Sequence, residues 1–383
     1  MDTYERFNAV LNGKKPDKMP FFFPTIACSV ASKLLGTDVN SGGDSLHFRE
    51  ELSWLDGVQA HSEFVIQYHE NAIILNKMLG SDIVRETWRS KARPTKKLDN
   101  FTLLFGNENG PHIVKRFFPQ TQSYGIVEDS CRANTCEELK LKLEQKMLRE
   151  VNTHFTSDEL STIYEDQLRF KKMAEPYFPS IVSSLSLGFL MSDPTWLELT
   201  ALEPELLCDY YLFETEIMIH HIKWLKQQGC IFLSGGADIA GNSGSIISPI
   251  AFHKIFVPAL KKLSQACEKE GLTFCYRTDG NTWLISDDLF LTSGIQAYGE
   301  VDRHASMTVG SLRQKYPNLI ILGNISPITL SNGSVDDVRE ETKATLQECG
   351  GYNYIAGPSN AIVHGTPIEN IYAMIDEINK YHP

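Results

Sequence analysis

Short apolar runs alternate with longer amphipathic segments from the middle of the chain onward. Residues 249–271 (PIAFHKIFVPALKKLSQACEKEG) carry apolar side chains such as Phe252 and Ile255 at helical spacing, which predicts a helix. Ser334 is a suitable N-cap for another helix, because acids follow it in the first turn and glycines lie past the end. The runs predicted as strands are PSIVSSLSL (179–187), CIFLSGGAD (230–238), LTFCYRT (272–278), GIQAYGE (294–300), LIILGNI (319–325) and GYNYIAG (351–357). This alternation predicts right-handed βαβ crossovers and a parallel sheet.

Two earlier runs, MPFFFPTIA (19–27) and GSDIVRETW (80–88), are further strand candidates. They bring the number of predicted strands to eight, the number that closes a (β/α)8 barrel. An open doubly wound sheet is the alternative. That fold favours a glycine-rich phosphate turn after its first strand, and PTIACSVASK is not such a turn.

The remaining segments predict decorations on one domain. Residues 101–122 predict a β-hairpin around Asn107–Gly110, placed outside the barrel near its mouth. Residues 136–174 are rich in charge and predict mostly helix. No linker, repeat or low-complexity segment divides the chain. The predicted architecture is therefore a single domain over residues 1–383, an α/β (β/α)8 TIM barrel with an N-terminal helical elaboration and a β-hairpin insertion near the mouth.

Composition narrows the function classes. The chain has 383 residues, 42% of them hydrophobic, and no uninterrupted apolar run long enough for a membrane helix. Its first residues, MDTYERFNAV, lack a signal-peptide pattern, so we expect a cytoplasmic protein that does not enter a membrane. The net charge of −12 argues against a nucleic-acid partner. The eight cysteines form no CxxC pair, which predicts neither a zinc ribbon nor a disulfide framework.

Polar and charged residues recur where the predicted strands end. Because the carboxyl ends of barrel strands meet at one mouth, we expect these side chains to line a common polar pocket. They are Asp238, Arg277, Asp279, Glu300, Asp302, Asn324, Ser359, Asn360 and His364, with Asp82 and Arg85 from the early strand.

Asp279 and Glu300 follow consecutive parallel strands, which predicts that their carboxylates are neighbours. With His364, they have the side chains to bind a divalent cation. The two carboxylates also have the chemistry of a shared acid/base pair with separated pKa values. Arg277 offers a third interpretation, in which it neutralises the acids in a structural ion pair and disfavours a metal. The residues alone leave these alternatives open.

Several longer motifs support a family resemblance. They are TYERFNAVLNGKKPDKMP, LGSDIV, GSIISPIAFHKIFVPALKKL, TDGNTW, YGEVDRHASM, LGNISPITLSNGSVDDV and TPIENIYAMIDEINKY. Through them the chain resembles the uroporphyrinogen decarboxylase superfamily, which contains tetrapyrrole decarboxylases and corrinoid-linked methyltransferases. The resemblance covers most of the chain and is most specific in the C-terminal half. It implies a (β/α)8 barrel.

This chain departs from the motifs of two branches of the family. Decarboxylases carry arginines after the first strand that hold propionates, whereas PTIACSVASKLLG has none. They also carry a Gly-His-Gly turn, and here Asn360 stands at its histidine. The thiol-methylating members bind zinc through a His-x-Cys-Gly turn and a second cysteine, which correspond to Arg277, Asp279 and Asn360. Arginine is no metal ligand and asparagine is a poor zinc ligand, so the thiolate-type site is lost.

The resemblance implies a methyltransferase that moves a methyl group between a small methylated compound, an ether or an amine, and a corrinoid-binding partner protein that carries methyl-corrinoid. Two alternatives remain, a tetrapyrrole decarboxylase and a non-catalytic ligand-binding barrel. A homodimer is also an open expectation.

The residues are assigned as follows. The catalytic candidates are Arg277, Asp279, Glu300 and Asn360, and the substrate-binding candidates are Asp238, Tyr298, Asn324, Phe23 and Trp283. Phe21 and Phe22 accompany Phe23 as aromatic candidates for holding a methoxylated ring or a quaternary amine. Asp279, Glu300 and His364 are the candidate ligands of a zinc ion.

Overall fold

Buried apolar runs form the strands of a parallel sheet, and amphipathic helices cover it. The computed structural model describes residues 1–150, 153, 155–188 and 193–383. The strands are β1 (Val84–Arg85), β2 (Lys96–Asp99), β3 (Thr102–Gly106), β4 (His112–Phe118), β5 (Ser123–Asp129), β6 (Ser180–Ser183), β7 (Phe232–Gly236), β8 (Ala240–Gly241), β9 (Gly244–Ser245), β10 (Thr273–Arg277), β11 (Ala297–Gly299), β12 (Ile320–Leu322) and β13 (Tyr354–Ile355).

Along the chain, most helices lie between successive strands of the parallel sheet. They are α1 (Thr3–Leu11), α2 (Cys28–Leu35), α3 (Asp44–Ser53), α4 (Val58–Leu79), α5 (Cys136–Glu150), α6 (Ser157–Ile163), α7 (Glu165–Ala174), α8 (Pro194–Leu202), α9 (Pro204–Gln227), α10 (Pro249–Ile255), α11 (Val257–Lys269), α12 (Val309–Lys315), α13 (Pro327–Asn332), α14 (Val335–Glu348) and α15 (Ile368–Lys380). Short 3-10 turns cover Trp54–Asp56, Trp283–Ile285 and Arg303–Ala305, and a π-helical turn covers Asp288–Thr292. None of the described helices is both long enough and apolar enough to cross a lipid bilayer.

The parallel sheet follows the order β1-β6-β7-β10-β11-β12-β13 within the described residues. The predicted strand at 19–27 reaches both edges of this sheet through isolated parallel bridges. Phe22 N–H donates to Ala356 O at 3.0 Å, and Asp82 N–H donates to Phe21 O at 2.9 Å. The bridges pair Phe21 with Ala356 next to β13 and Phe22 with Ile83 next to β1. The sheet therefore curls round on itself, and the fold is TIM-barrel-like.

The predicted helix at 249–271 is two helices in the structure. α10 ends at Ile255 and α11 begins at Val257, with Phe256 between them. Pro258 lies in the first turn of α11, and proline has no N–H to donate to the preceding turn, so a new helix begins there. Ser334 caps α14 as predicted, and its side chain accepts a hydrogen bond from the N–H of Asp337 in a capping box.

The predicted hairpin at 101–122 is part of a larger antiparallel sheet. β3 and β4 pair around the turn at Asn107–Pro111, and β2 and β5 extend the sheet on either side in the order β2-β3-β4-β5. Its Lys115 forms an ion pair with Glu51 of α3 at 2.5 Å. The placement of this insertion near the barrel mouth stays a prediction.

The charge-rich region at 136–174 contains α5, α6 and α7, as predicted, although residues 151, 152 and 154 of that range lie outside the described residues. The single-domain prediction for residues 1–383 stays a prediction.

Gly357 follows β13 and lies against the backbone of Phe22, where there is no room for a side chain. Its φ is +148°, and a Cβ atom there would lie 2.2 Å from Phe22 O. We expect Gly357→Ala to lower the free energy of unfolding by more than about 2 kcal/mol, because the clash falls on backbone that cannot move aside. Chemical denaturation measures the change.

Gly125→Ala is the matched control for this prediction. Gly125 is exposed on β5, and its added Cβ would meet nothing within 4 Å. Equal stability of the two variants would show that Phe22 and Gly357 do not approach each other as described.

Candidate functional site

Three carboxylates meet at the carboxyl ends of adjacent strands. Asp238 follows β7, Asp279 follows β10 and Glu300 follows β11, and the register places Arg277 opposite Gly236 on one side and Gly299 on the other. One carboxylate oxygen from each of the three acids lies within 4.8 Å of the others. The prediction that the strand ends bring these side chains to one rim agrees with this geometry.

Glycines beside Arg277 make room for this arrangement. Gly236 has a φ of +144°, and a Cβ there would lie 2.1 Å from Arg277 O. On the other side, a Cβ on Gly299 would lie 3.2 Å from Arg277 Cγ. The next residue, Glu300, has a φ of +65°, which is uncommon for a residue with a side chain. The backbone is thus bent in a way that turns Glu300 out of the strand direction and towards Arg277.

The carboxylates differ in their partners. Arg277 Nη2 donates to Glu300 Oε1 in an ion pair, in which both side chains are mostly shielded from solvent. Asn360 Nδ2 donates to Asp279 Oδ2 at 2.7 Å, while Asn360 Oδ1 accepts from the N–H of Ala361 at 2.7 Å. Asp238 is exposed. The cluster therefore has one carboxylate paired with a cation, one hydrogen-bonded to a neutral amide and one facing water.

These environments shift the pKa values of the two inner acids. Burial raises the pKa of Asp279 to about 7, and the negative charges of Glu300 and Asp238 act in the same direction, while the hydrogen bond from Asn360 opposes them. Burial also raises the pKa of Glu300, and the positive charge of Arg277 opposes that rise. Near neutral pH, Asp279 is therefore divided between its protonated and ionised forms and can donate or accept a proton.

Five of the predicted residues lie at this site, but others do not. His364 is exposed, and its Nδ1 is hydrogen-bonded to Ser29 Oγ of α2 at 2.8 Å. Among the described residues, the group with metal-ligand spacing contains Asp238 instead of His364. The predicted ligand set of Asp279, Glu300 and His364 is thus not brought together, because the 358–367 loop directs His364 towards α2.

The prediction that Asp82 faces the barrel mouth is wrong. It was predicted to lie at a strand end facing the mouth, but it precedes β1, so it lies at the opposite end of the sheet. There it is 1% exposed, and its carboxylate accepts a hydrogen bond from Arg6 Nη1 of α1 at 2.5 Å. Arg85 does end β1, and its Nη2 donates to Pro24 O at 3.0 Å. Neither side chain belongs to the carboxylate cluster.

The aromatic candidates are mainly core residues. Phe23 is 4% exposed and lies 5.9 Å from Phe21 ring to ring in an edge-on contact, whereas Phe22 lies in a second apolar cluster. Tyr298 is fully buried, and its hydroxyl donates to Thr278 O at 3.3 Å. Trp283 is half-buried, with its Nε1 donating to Ser306 O at 3.0 Å. Their assignment to substrate binding stays a prediction.

Three further strand-end residues serve the loops in which they lie. The Asp302 carboxylate accepts hydrogen bonds from the N–H groups of His304 and Ala305. Ser359 is buried, and its N–H donates to Ile325 O at 2.8 Å. Asn324 is fully buried, and its amide bonds to backbone carbonyls.

A cleft of about 510 Å³, which the sequence pattern does not predict, lies on the same rim. Residues that follow β1 and β6 form its floor, and α7 and α9 form its sides. Its lining includes Trp88, Arg89, Gln167, Ser183, Ser184, Ser186, Met218 and His221. Ser183, Ser184 and Ser186 of PSIVSSLSL were the available signal, because they stand at the end of a predicted strand.

The charged side chains in the cleft wall have oppositely charged neighbours. Arg89 pairs with Glu50 at 2.6 Å, with Asp166 at 2.7 Å and with Glu86 at 3.1 Å. Glu214 pairs with Lys146 at 2.6 Å. Hydroxyl and amide groups and the imidazole of His221 are thus polar groups in this cleft that have no fixed ionic partner. Such a lining suits an uncharged polar molecule of small size.

A family model identifies the family of this chain, and a solved structure shares its fold. A family model described as Uroporphyrinogen decarboxylase (URO-D) matches residues 190–381. A methyltransferase from Methanosarcina mazei is similar in structure, with a TM-score of 0.67 and 17% identity over 99% of each chain. A D-psicose 3-epimerase from Clostridium cellulolyticum is more distant, with a TM-score of 0.35 and 13% identity over 65% of this chain and 91% of its own. No curated protein matches the chain.

Asp279→Asn should stabilise the fold, and by more at about pH 8 than at about pH 5. The pKa of Asp279 rises from 3.8 to about 7 on folding, so between these values the folded chain holds a proton that the unfolded chain releases. The free energy of unfolding of the wild type therefore falls as pH rises through that interval, and the asparagine variant lacks this loss. Thermal denaturation at both pH values measures the difference.

The matched control is Asp209→Asn, since Asp209 is exposed on α9. It should change the melting temperature equally at the two pH values. A stabilisation by Asp279→Asn that is the same at both pH values would contradict the raised pKa.

Proposed function

Because this chain belongs to the uroporphyrinogen decarboxylase (URO-D) family, we propose that it is the methyltransferase kind of member, one that moves a methyl group from a small methylated compound to a corrinoid carried by a partner protein. The observation that carries this proposal is the acid pair at the rim. Asp279 titrates near neutral pH, and Glu300 beside it is ion-paired with Arg277. This combination offers a proton and a fixed positive charge at one place.

The tetrapyrrole decarboxylase alternative is the less favoured one. A tetrapyrrole with several carboxylates needs several cations to hold it, and the stretch from Pro24 to Gly36 contains a single basic residue, Lys33, and no arginine. Arg277 is a single cation, too few for several carboxylates, and it is also paired with Glu300. The three carboxylates at the rim would repel a polyanion.

Proton transfer is the step that the described residues support. In a methyl ether, the bond between the methyl carbon and oxygen breaks, and its electron pair stays on the oxygen. Asp279 then donates its proton to that oxygen, so that an alcohol leaves and an ionised Asp279 remains. Solvent restores the proton at neutral pH. Arg277 contributes positive charge near the oxygen as negative charge develops on it.

The partner supplies the acceptor. A reduced corrinoid would supply the nucleophile for the methyl carbon, and we propose that a corrinoid-binding protein presents it at the mouth. Because this chain has a net charge of −12, we expect such a partner to present basic groups at the contact.

The protonated acid favours ethers over quaternary amines as substrates. A quaternary amine leaves as a neutral amine and needs no proton, whereas the oxygen of an ether leaves as an anion unless it is protonated. Asp279 is therefore useful for the ether alone. The charged side chains of the cleft beside β1 and β6 are already ion-paired, which also favours an uncharged substrate, and we propose that this cleft receives the body of the substrate.

Zinc fits this site poorly. The grouped donors are three carboxylates with no nitrogen or sulfur among them, whereas zinc sites in proteins are built mainly from histidine and cysteine. Glu300 is already held by Arg277, and Asn360 turns its amide nitrogen, not its oxygen, towards Asp279. We therefore propose the metal-free form of the reaction.

Asp279→Asn should reduce methyl transfer from a methyl ether by about 10²- to 10⁴-fold, because the variant has no proton to donate. The assay follows alkylation of a reduced corrinoid by its visible spectrum, with 2-methoxyphenol as the methyl donor. Asp279→Glu, which keeps the acid, should retain more activity. Asp209→Asn serves as the control for general effects.

The outcome that would contradict this mechanism is full activity in Asp279→Asn. Transfer from tetramethylammonium but from no ether would overturn the substrate class while leaving methyl transfer intact. Decarboxylation of uroporphyrinogen by the wild type would instead support the alternative.

Dialysis against a strong chelator should leave the activity unchanged, because the proposed reaction uses Asp279 and Arg277 without a metal. Elemental analysis of the dialysed protein is the accompanying measurement. Activity that is lost on dialysis and restored by added zinc would contradict the metal-free reaction. If zinc restores no activity in Glu300→Gln, the metal site lies at the carboxylates.

A further inference from the structure

Asn324 is placed to hold the segment that carries Glu300. It follows β12, has no exposed surface, and has a φ of +115°. Its Nδ2 donates one hydrogen bond to Val301 O at 3.0 Å and another to Met307 O at 2.9 Å. One side-chain amide thus joins the beginning and the end of residues 301–307.

The oxygen of the same amide fixes the middle of that segment. Asn324 Oδ1 accepts a hydrogen bond from Arg303 Nη1 at 3.2 Å. Arg303 in turn pairs with Glu348 of α14 at 3.0 Å. The segment is therefore attached to the end of β12 through the buried side chain of Asn324 and to α14 through Arg303. We call this set of contacts, made by Asn324 to Val301, Arg303 and Met307, the amide clamp.

The segment needs such a clamp because its backbone is strained at both ends. Glu300 has a φ of +65° and Ser306 has a φ of +64°, and neither is a glycine. Residues persist in this conformation only when the surrounding structure holds them there. Released from its contacts, Glu300 would relax towards the ordinary strand conformation and turn its carboxylate away from Arg277 and Asp279.

We propose that Asn324 is a positioning residue, which keeps Glu300 beside Asp279 and Arg277 by fixing both ends of residues 301–307. This proposal rests on the proposed function for its effect on the reaction, but not for its geometry. It replaces the prediction that Asn324 binds substrate. Both hydrogens of its amide nitrogen are used by backbone carbonyls, so the side chain has no donor to offer a ligand.

The chain contains a matched control for this residue. Asn370, in the first turn of α15, is 2% exposed, and its Nδ2 donates to Leu330 O at 3.0 Å and to Gly333 O at 2.8 Å. It is a second buried asparagine that joins two backbone carbonyls, but it belongs to no part of the carboxylate cluster. Asn324→Gly and Asn370→Gly remove the same chemical group, and glycine tolerates the positive φ at position 324.

The first measurement needs no activity. The ionisation of Asp279 is followed in ¹³C-labelled protein by carboxyl NMR, in the wild type and both glycine variants, with Asp279→Asn to assign the signal. In Asn324→Gly we expect Asp279 to ionise at a lower pH, because the negative charge of Glu300 is no longer held close to it. Asn370→Gly should leave the titration unchanged.

The second measurement is the pH profile of methyl transfer. We expect Asn324→Gly to lower kcat by about 10- to 100-fold. The part of the pH profile in which activity falls as Asp279 ionises should move to lower pH, as in the NMR titration. Asn370→Gly should lower the melting temperature without moving that part of the profile.

The two measurements separate the two ideas. An unchanged Asp279 titration in a folded Asn324→Gly variant would overturn the positioning role. A wild type that transfers no methyl group, combined with a shifted titration in the variant, would overturn the proposed function and keep the clamp. If Asn324→Gly does not fold, Arg303→Lys, which weakens one arm of the clamp, takes its place with the same expected direction.

Discussion

Crowding of negative charge at the rim of the parallel sheet is the constraint on which the site depends. Three carboxylates within 4.8 Å of one another repel strongly where water is partly excluded, and they cannot all ionise at neutral pH without compensation. One cation, Arg277, compensates Glu300. Asp279 receives only a neutral amide, so its proton is retained up to about pH 7. The acid function of Asp279 thus follows from the unequal distribution of partners in a small cluster.

The fold creates that inequality through positions without side chains. Gly236 and Gly299 stand opposite Arg277 on the two neighbouring strands, and each leaves room where a larger residue would meet its backbone or side chain. Arg277 can therefore extend along the strand end to Glu300. The same strand end then continues to Asp279, so cation and acid are delivered by one short segment of β10 and the turn that follows it.

Much of this arrangement could be predicted from the sequence, because parallel strands bring their carboxyl ends to one edge. That rule was sufficient for Asp238, Asp279 and Glu300. It was insufficient for His364, since no periodic pattern fixes the path of the loop in which it lies, and for Asp82, since the beginning and end of a two-residue strand cannot be distinguished by hydrophobicity. Asn324 shows a different limit. An asparagine after a strand has the same appearance whether its amide binds a ligand or a backbone carbonyl.

Local patterns also left some elements unpredicted. β2 is exposed along its length and β5 nearly so, so neither has the alternation that marks a half-buried strand. The break at Phe256 depends on Pro258, whose missing N–H interrupts the helical hydrogen bonds although the apolar stripe continues. In each case, pairing with a neighbouring strand or the lack of a single donor decided the structure more than hydrophobic periodicity did.

The backbone hydrogen bond between Phe22 and Ala356 has a consequence for how this chain reaches its final state. These two residues are among the most widely separated partners in the sequence, yet their backbones are hydrogen-bonded. During synthesis, the segment around Phe22 emerges from the ribosome long before its neighbour exists. Contacts of such long range form late, because the entropy of closing the intervening loop must first be overcome. The aromatic residues 21–23 therefore spend the interval without their final surroundings, which exposes three large apolar side chains to aggregation in a nascent chain.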